Sequence, residues 1–307
     1  MRVRREPNIR AGAGKVSVPK TAAQKPNGSV AARSPGSRDQ AAGLRRLLGD
    51  IGPRLLPVAG GGDGAQRGRI VAGFAAAACA QGYAVVVLDQ SRGEMAKILG
   101  LRPRYELHHL LSGEKQFDEV SVESSGGIRL IAAARGIAEL SEQPLHANAF
   151  FHAFALLEHP ATLVILHIED ASIAAALLPS PDAEVLLVAG ADPAAMTGAY
   201  THAKQMSMAR GISNYRVLLC DAESESQARE AFDKLSATAG RFLNANLQWG
   251  GAIPCLAPPG GNRAPGARGA LGGAASSGDP ASTVFQQLVA AMPAWNLFES
   301  SAGAATH

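Results

Sequence analysis

With 307 residues, 47% of them hydrophobic, and a mean hydropathy of +0.03, the chain has the material for a large core and the length for one or two domains. No apolar run approaches the ~20 residues of a membrane-spanning helix, and the basic N-terminus has no apolar segment behind it, so a cytoplasmic protein without a secretory signal is expected. The net charge of +3 conceals an asymmetry: residues 1–38 hold nine Lys/Arg against Glu6 alone, leaving 20 basic and 25 acidic residues for the rest.

Residues 1–37 are rich in Arg, Lys, Gly, Ser and Pro without periodicity, and are expected to be a disordered basic tail. The tail has no aromatic residues for base stacking, so sequence-specific nucleic-acid binding is not expected. From 38 to 51, Asp39 can cap a helix whose Ala41, Leu44, Leu47 and Leu48 share one stripe beside Arg45 and Arg46. Such a helix is too short to stand alone and should order against a partner or its own domain.

An α/β domain is expected over 54–256. Its first strand is Leu55 to Ala59, followed by a glycine-rich turn (Gly60 to Gly68) and a helix ending at Gly82. The apolar, β-branched run from Ala84 to Leu88 closes on Asp89. After a turn at Ser91 to Gly93, Met95, Ile98 and Leu99 mark one side of a short helix. Phe117 to Glu123 and Ile128 to Ala133 read as two strands around a Gly126–Gly127 turn. Further strands are expected at Thr162 to Ile168, Val185 to Ala189, Arg216 to Cys220 and Leu247 to Ile253. They alternate with helices at His146 to Glu158, Ser172 to Leu178, Pro193 to Ala209 and Ser226 to Leu243. This rhythm means an α/β fold with a doubly wound, mostly parallel sheet. Residues 257–280, with 11 Gly or Pro in 24, read as a linker, and 281–307 as a short helix (Ser282 to Met292) and tail. No Lys or Arg follows Arg268, so weak or absent membrane binding is expected of that helix, which should instead pack on the domain or be disordered.

The turn after the first strand is where a phosphate loop belongs in such a sheet. A working loop needs glycines whose amides wrap phosphate, a lysine for the terminal oxygens and a hydroxyl for magnesium. This one reads GGGDGAQRGR: the glycines Gly61, Gly62 and Gly64 are present, Arg67 is the cation, Gly68 has no hydroxyl and Asp63 adds a negative charge. With Asp89 these are the candidate nucleotide-site residues. Three scattered cysteines (Cys79, Cys220, Cys255) and His146, His152 and His159 at spacings of six and seven lack metal-ligand patterning, so no metal is expected.

The stretch YAVVVLDQSRGEMAKILGLRPRYELHHLLSGE (Tyr83 to Glu114) resembles the MinD/ParA-type P-loop ATPases, and within them the flagellar-number regulators of the FlhG (FleN) type. Similar wording covers Phe117 to Ala133, Asp192 to Tyr200 and Glu223 to Leu243, so the resemblance extends over roughly Arg38 to Pro254. It implies the MinD-like P-loop NTPase fold. Counted back from Gly82, Gly62 holds the family's first, dimer-bridging lysine position, Arg67 the P-loop lysine and Gly68 the metal-binding threonine. Ser91 replaces a second Asp that orients water, His167 an Asp, Ala171 a Gly, and Cys220 an adenine-reading Asn.

The N-terminal segment also matches the family's DQAxxLR activator motif at Asp39, Gln40, Ala41, Leu44 and Arg45. In that family the motif helix binds FlhF, a GTPase of the signal-recognition-particle type, and stimulates it. By resemblance Gln40 would lie near GTP and Arg45 would make polar contacts. The expectation is a pseudo-ATPase regulator of flagellar number or placement, with no cofactor unless the degenerate site still takes Mg-ATP. Its implied partners are FlhF, the flagellar transcription activator and switch-complex proteins, through which it would reach the cell pole. Two alternatives stand beside this: an atypical ATPase that dimerises on ATP with Arg67 in the lysine's place, and a MinD-like accessory protein of partition or polysaccharide synthesis.

Overall fold

The computed structural model describes residues 54–143, 150, 162–178, 180–253, 280–295 and 297–299. The basic tail, the DQAxxLR segment, the expected 146–158 helix apart from Phe150, and the 257–280 linker apart from Pro280 lie outside the described residues.

In chain order the elements are β1 (Arg54–Gly60), α1 (Gly64–Ala80), β2 (Ala84–Asp89), α2 (Glu94–Leu99), α3 (Leu107–Leu111), α4 (Phe117–Val120), β3 (Val122–Glu123) and β4 (Ile128–Ala132). They continue through α5 (Ala134–Glu142), β5 (Thr162–His167), α6 (Ala171–Ala175), β6 (Glu184–Gly190), α7 (Pro193–Arg210), β7 (Asn214–Cys220), α8 (Glu225–Leu243), β8 (Asn246–Ile253), α9 (Pro280–Ala291) and β9 (Phe298–Glu299). The sheet runs β3-β4-β2-β5-β1-β6-β7-β8. All pairs are parallel except β3 on β4 and β9, which lies antiparallel on Arg54 and Leu55 of β1.

Both faces of the sheet are covered, which is why its strands read as unbroken apolar runs. On one face Leu55, Val164, Leu166 and Leu187 pack under α5, α6, α7 and α8 through Ile137, Ala174, Ala199, Met206 and Leu235. On the other, Leu56, Val87, Ile165 and Leu218 pack under α1, α2 and α9 through Ile70, Phe74, Met95, Phe285 and Val289. The helix starts follow from local chemistry. Asp192 accepts from the amides of Ala194 and Ala195 with Pro193 in the first turn of α7, and Ser224 accepts from Gln227 N at the head of α8.

Two expectations change. Phe117 to Glu123 is not one strand: its first part is the helical turn α4, and only Val122–Glu123 joins the sheet. Gln116 N donates to Glu119 Oε2 at 3.0 Å in a capping box, and Asp118 and Glu119 occupy the first turn, where a helix N-terminus favours acids. The C-terminal helix packs on the domain, and is read from residue 280 rather than 282. Its Phe285 ring sits over Gly73 of α1, where a Cβ would lie 2.3 Å from the ring. Trp295 then covers Phe74 at 6.3 Å between centroids, and the Arg216 guanidinium stacks on it at 4.6 Å.

Candidate functional site

β1 lies at the switch point of the sheet, between β5 and β6, so the loops at the carboxyl ends of β1, β2, β5, β6 and β7 converge. The structure brings Gly61, Gly62, Gly64, Arg67, Gly68 and Asp89 together there. It also shows what each one touches.

Gly60 to Asp63 form the turn, and α1 begins at Gly64, capped by Asp63, whose side chain accepts from Ala65 N at 3.0 Å. An acid of the chain's own therefore takes up a first-turn donor that an anion could use. The turn presses on α7. A Cβ at Gly61 would stand 2.2 Å from Ala199 N, and one at Gly198 would stand 2.8 Å from Gly61 Cα. Gly61 is thus fixed by backbone contact with a helix, while Gly62, at φ +91°, makes the turn itself.

Arg67 is 3% exposed and points back under this turn. Its Nη1 donates to Gly60 O at 2.8 Å and its Nη2 pairs with Glu169, in the loop after β5. Gly60 N donates to His202 Nδ1 of α7 at 3.2 Å. Burial, and then the charge of Arg67, push the His202 imidazole below its ordinary value, which keeps it the neutral acceptor this bond requires. One side of the site is therefore held by Arg67, Glu169, Gly60 and His202.

Gly68 has a steric reason. A Cβ there would lie 2.5 Å from Ile98 Cδ1 of α2 and 3.6 Å from Met95 Sδ, so apolar atoms of α2 fill the space a side chain at 68 would use. Across from it Asp89 and His167, register partners on β2 and β5, meet at 2.9 Å between Oδ1 and Nδ1. They are 1% and 0% exposed. Burial raises the Asp89 carboxyl, but the hydrogen bond and charge of His167, with bonds from Ser91, outweigh it and hold the group below its usual value. Ser91 N donates to Asp89 Oδ1 at 2.9 Å, so Ser91 serves to orient the acid.

Gln90, between them, turns its Oε1 to accept from Glu169 N (2.8 Å) and Asp170 N (2.9 Å), tying the β5 loop to β2. Asp170 caps α6, and its carboxyl is lowered by bonds from Ser172 and Ile173 in spite of partial burial. On the β7 side Cys220 is buried, and Asp221, at φ +57°, accepts from Gln66 Nε2.

The sequence pointed to Arg67, Gly68, Asp89, His167 and Cys220, but not to the surrounding contacts made by Glu169, His202, Ile98, Gln90 and Asp221. The only hint was local: two acids (Glu169, Asp170) directly after β5, and a glutamine inside the Asp89–Ser91 turn. The expected partner-binding residues Asp39, Gln40, Ala41, Leu44 and Arg45 lie outside the described residues.

No protein-family model matches the chain. The antiactivator FleN of Pseudomonas aeruginosa PAO1 is 28% identical over 215 residues, covering 68% of this chain and 76% of FleN. The chain is thus similar in sequence to FleN over two thirds of its length. The fold recurs in cobyrinic acid a,c-diamide synthase of Mycobacterium smegmatis, solved with ADP and magnesium (TM-score 0.53, 18% identity, 80% of this chain and 98% of that one). It recurs also in a plasmid partition protein of Borrelia burgdorferi (TM-score 0.50, 11% identity, 79% and 99%). In this chain the contacts above place protein side chains at the carboxyl-end loops, where doubly wound sheets bind their ligands.

Proposed function

We propose that this chain is an FlhG-type regulator of flagellar number or placement whose α/β body is a pseudo-ATPase scaffold. The likeness to FleN supports the pathway. The observation that carries the pseudo-ATPase reading is the filled site. Arg67 is engaged by Gly60 O and Glu169, Ile98 closes on Gly68, and Asp89 is paired with His167. These residues do not fit Mg-ATP: position 68 has no hydroxyl, the P-loop lysine is absent, and Asp63 and Glu169 place two carboxylates where phosphate charge would have to sit. Magnesium and ATP are accordingly no part of its action.

The active element in this reading is the 38–51 helix, whose Asp39, Gln40, Ala41, Leu44 and Arg45 would engage an FlhF-type GTPase and stimulate it. The flagellar transcription activator and switch-complex proteins are further candidate contacts, and polar location would come through partners. None of the described helices is long and apolar enough to cross a membrane. The apolar side of α9 is spent on α1, which accords with weak or absent membrane binding from that helix.

The test mixes the full chain with an FlhF-type GTPase and measures GTP hydrolysis. Stimulation that disappears on deleting residues 1–50, and weakens with Gln40→Ala, is the expected result. Stimulation unchanged by the deletion would contradict the role of the leading helix and favour a partition or polysaccharide-synthesis accessory role.

A further inference from the structure

The Glu169 carboxylate lies at the head of the 17-residue helix α1. A Cβ built on Gly64, the first residue of that helix, would be 3.8 Å from Glu169 Oε2 and 4.0 Å from Oε1. The same Cβ would be 3.8 Å from Arg67 Nη2, so acid and guanidinium meet over the helix start. A helix N-terminus with a guanidinium beside it is a place that recruits an anion. Arg67 brings that charge in from a side chain that is 3% exposed and whose Nε has no hydrogen-bond partner among the described residues. Glu169 is bound at both ends: its carboxylate by Arg67, and its backbone amide by Gln90 Oε1 at 2.8 Å.

We propose that Glu169 is a tethered anion standing in for a phosphate group, which makes the 168–171 loop a switch held in one position by the chain itself. This rests on the reading of the site as one that takes no nucleotide, and deepens it. A segment can be ordered by the anion it contacts; here the anion is covalently part of the loop, so its effective concentration at Arg67 is set by a few bonds. Its affinity therefore need not be high to keep the loop in place. The nearby acids Asp63, Asp221, Asp89 and Asp170 are occupied with Ala65 N, Gln66 Nε2, His167 and Ser172 respectively, and Glu169 is the carboxylate that answers Arg67. The consequence is a permanently placed loop whose exposed residues, Glu169 and Asp170, are presented to a partner without a nucleotide cycle.

The test uses the full chain and Glu169→Ala, with inorganic phosphate as the probe and chloride at matched ionic strength as the control. Amide hydrogen exchange over 168–171 and the thermal midpoint are the readouts. In the wild type phosphate should change neither. In Glu169→Ala the loop amides should exchange on the order of tenfold faster, as loss of a charge-assisted bond implies. Phosphate, but not chloride, should slow them again, and adding Arg67→Gln should abolish that response. Glu169→Gln, which removes the charge at nearly unchanged size, gives the same reading if the alanine variant fails to fold.

A variant loop that exchanges no faster, or is blind to phosphate, overturns the proposal, and so does a wild type that responds as strongly as the variant. Saturable Mg-ATP binding by the wild type would instead sink the pseudo-ATPase reading itself. A wild type inert to Mg-ATP with a phosphate-blind variant would sink this inference alone.

Discussion

The seam between α1 and α9 and the loops at the carboxyl end of the sheet are both closely filled, but with opposite chemistry. Along the seam Phe285, Leu288 and Val289 are buried against the middle of α1, with the Phe285 ring in the notch left by Gly73. At its start the same helix stands among Arg67, Glu169, Asp63, Asp89 and His167. Apolar filling stabilises wherever it fits, whereas a buried charge costs free energy unless it is partnered. Buried charges that had merely drifted in would be left alone. Here Arg67 has Glu169 and Gly60 O, Asp89 has His167 and Ser91 N, and the missing side chain at Gly68 is matched by Ile98. At this end of the sheet the loops hold one another through these pairs.

The largest effect is expected at the seam. Trp295→Ala removes a buried ring from Phe74 and Arg216 and should cost about 4 kcal/mol in urea unfolding, as emptying an aromatic site does. Asp89→Ala should follow at about 3 kcal/mol, because it leaves His167 buried without its acid. Asp89→Ala combined with His167→Leu should cost less than the two single changes added together, since the second removes the group orphaned by the first. A sum that is fully additive would mean the pair is not coupled, and the loops would then be no different from the seam.

Gly68→Thr, which restores a hydroxyl where the family resemblance expects one, should cost about 1–3 kcal/mol through overpacking on Ile98. Adding Ile98→Ala should return part of it, and neither variant should gain magnesium-dependent stability.

Acid sharpens the contrast further. The folded Asp89 carboxyl lies below its unfolded value of about 3.9, so its contribution is complete above about pH 4 and is lost as pH falls through the lower folded value. The urea midpoint of the wild type should therefore fall more steeply below about pH 4 than that of Asp89→Asn. The smallest effect belongs to an exposed side chain in neither region: Phe242→Ser should stay within about 0.5 kcal/mol in the same assay.

Much of the fold was legible because its signals are local. The run Ala84 to Leu88 is a strand buried on both sides, Asp192–Pro193 and Ser224 announce α7 and α8, and the alternation of runs gives the parallel sheet. The misread segment, Phe117 to Val120, was also local, but its apolar residues were too few to set a period, and the Gln116–Glu119 capping box decided it. The site divides differently. Departures at Arg67, Gly68, Ser91 and His167 could be seen one at a time. Their compensation could not, because Glu169 stands 102 residues from Arg67, His202 stands 142 from Gly60, and His167 stands 78 from Asp89. No spacing rule reaches across such separations; only the sheet order brings those strand ends together.

The central claim is that the nucleotide site has been taken over by the chain's own side chains. Titrating the full chain with a fluorescent ATP analogue, with and without magnesium, tests it most directly. The account predicts no saturable, magnesium-dependent signal. Tight magnesium-dependent binding that is lost with Arg67→Gln and with Asp89→Asn would contradict it.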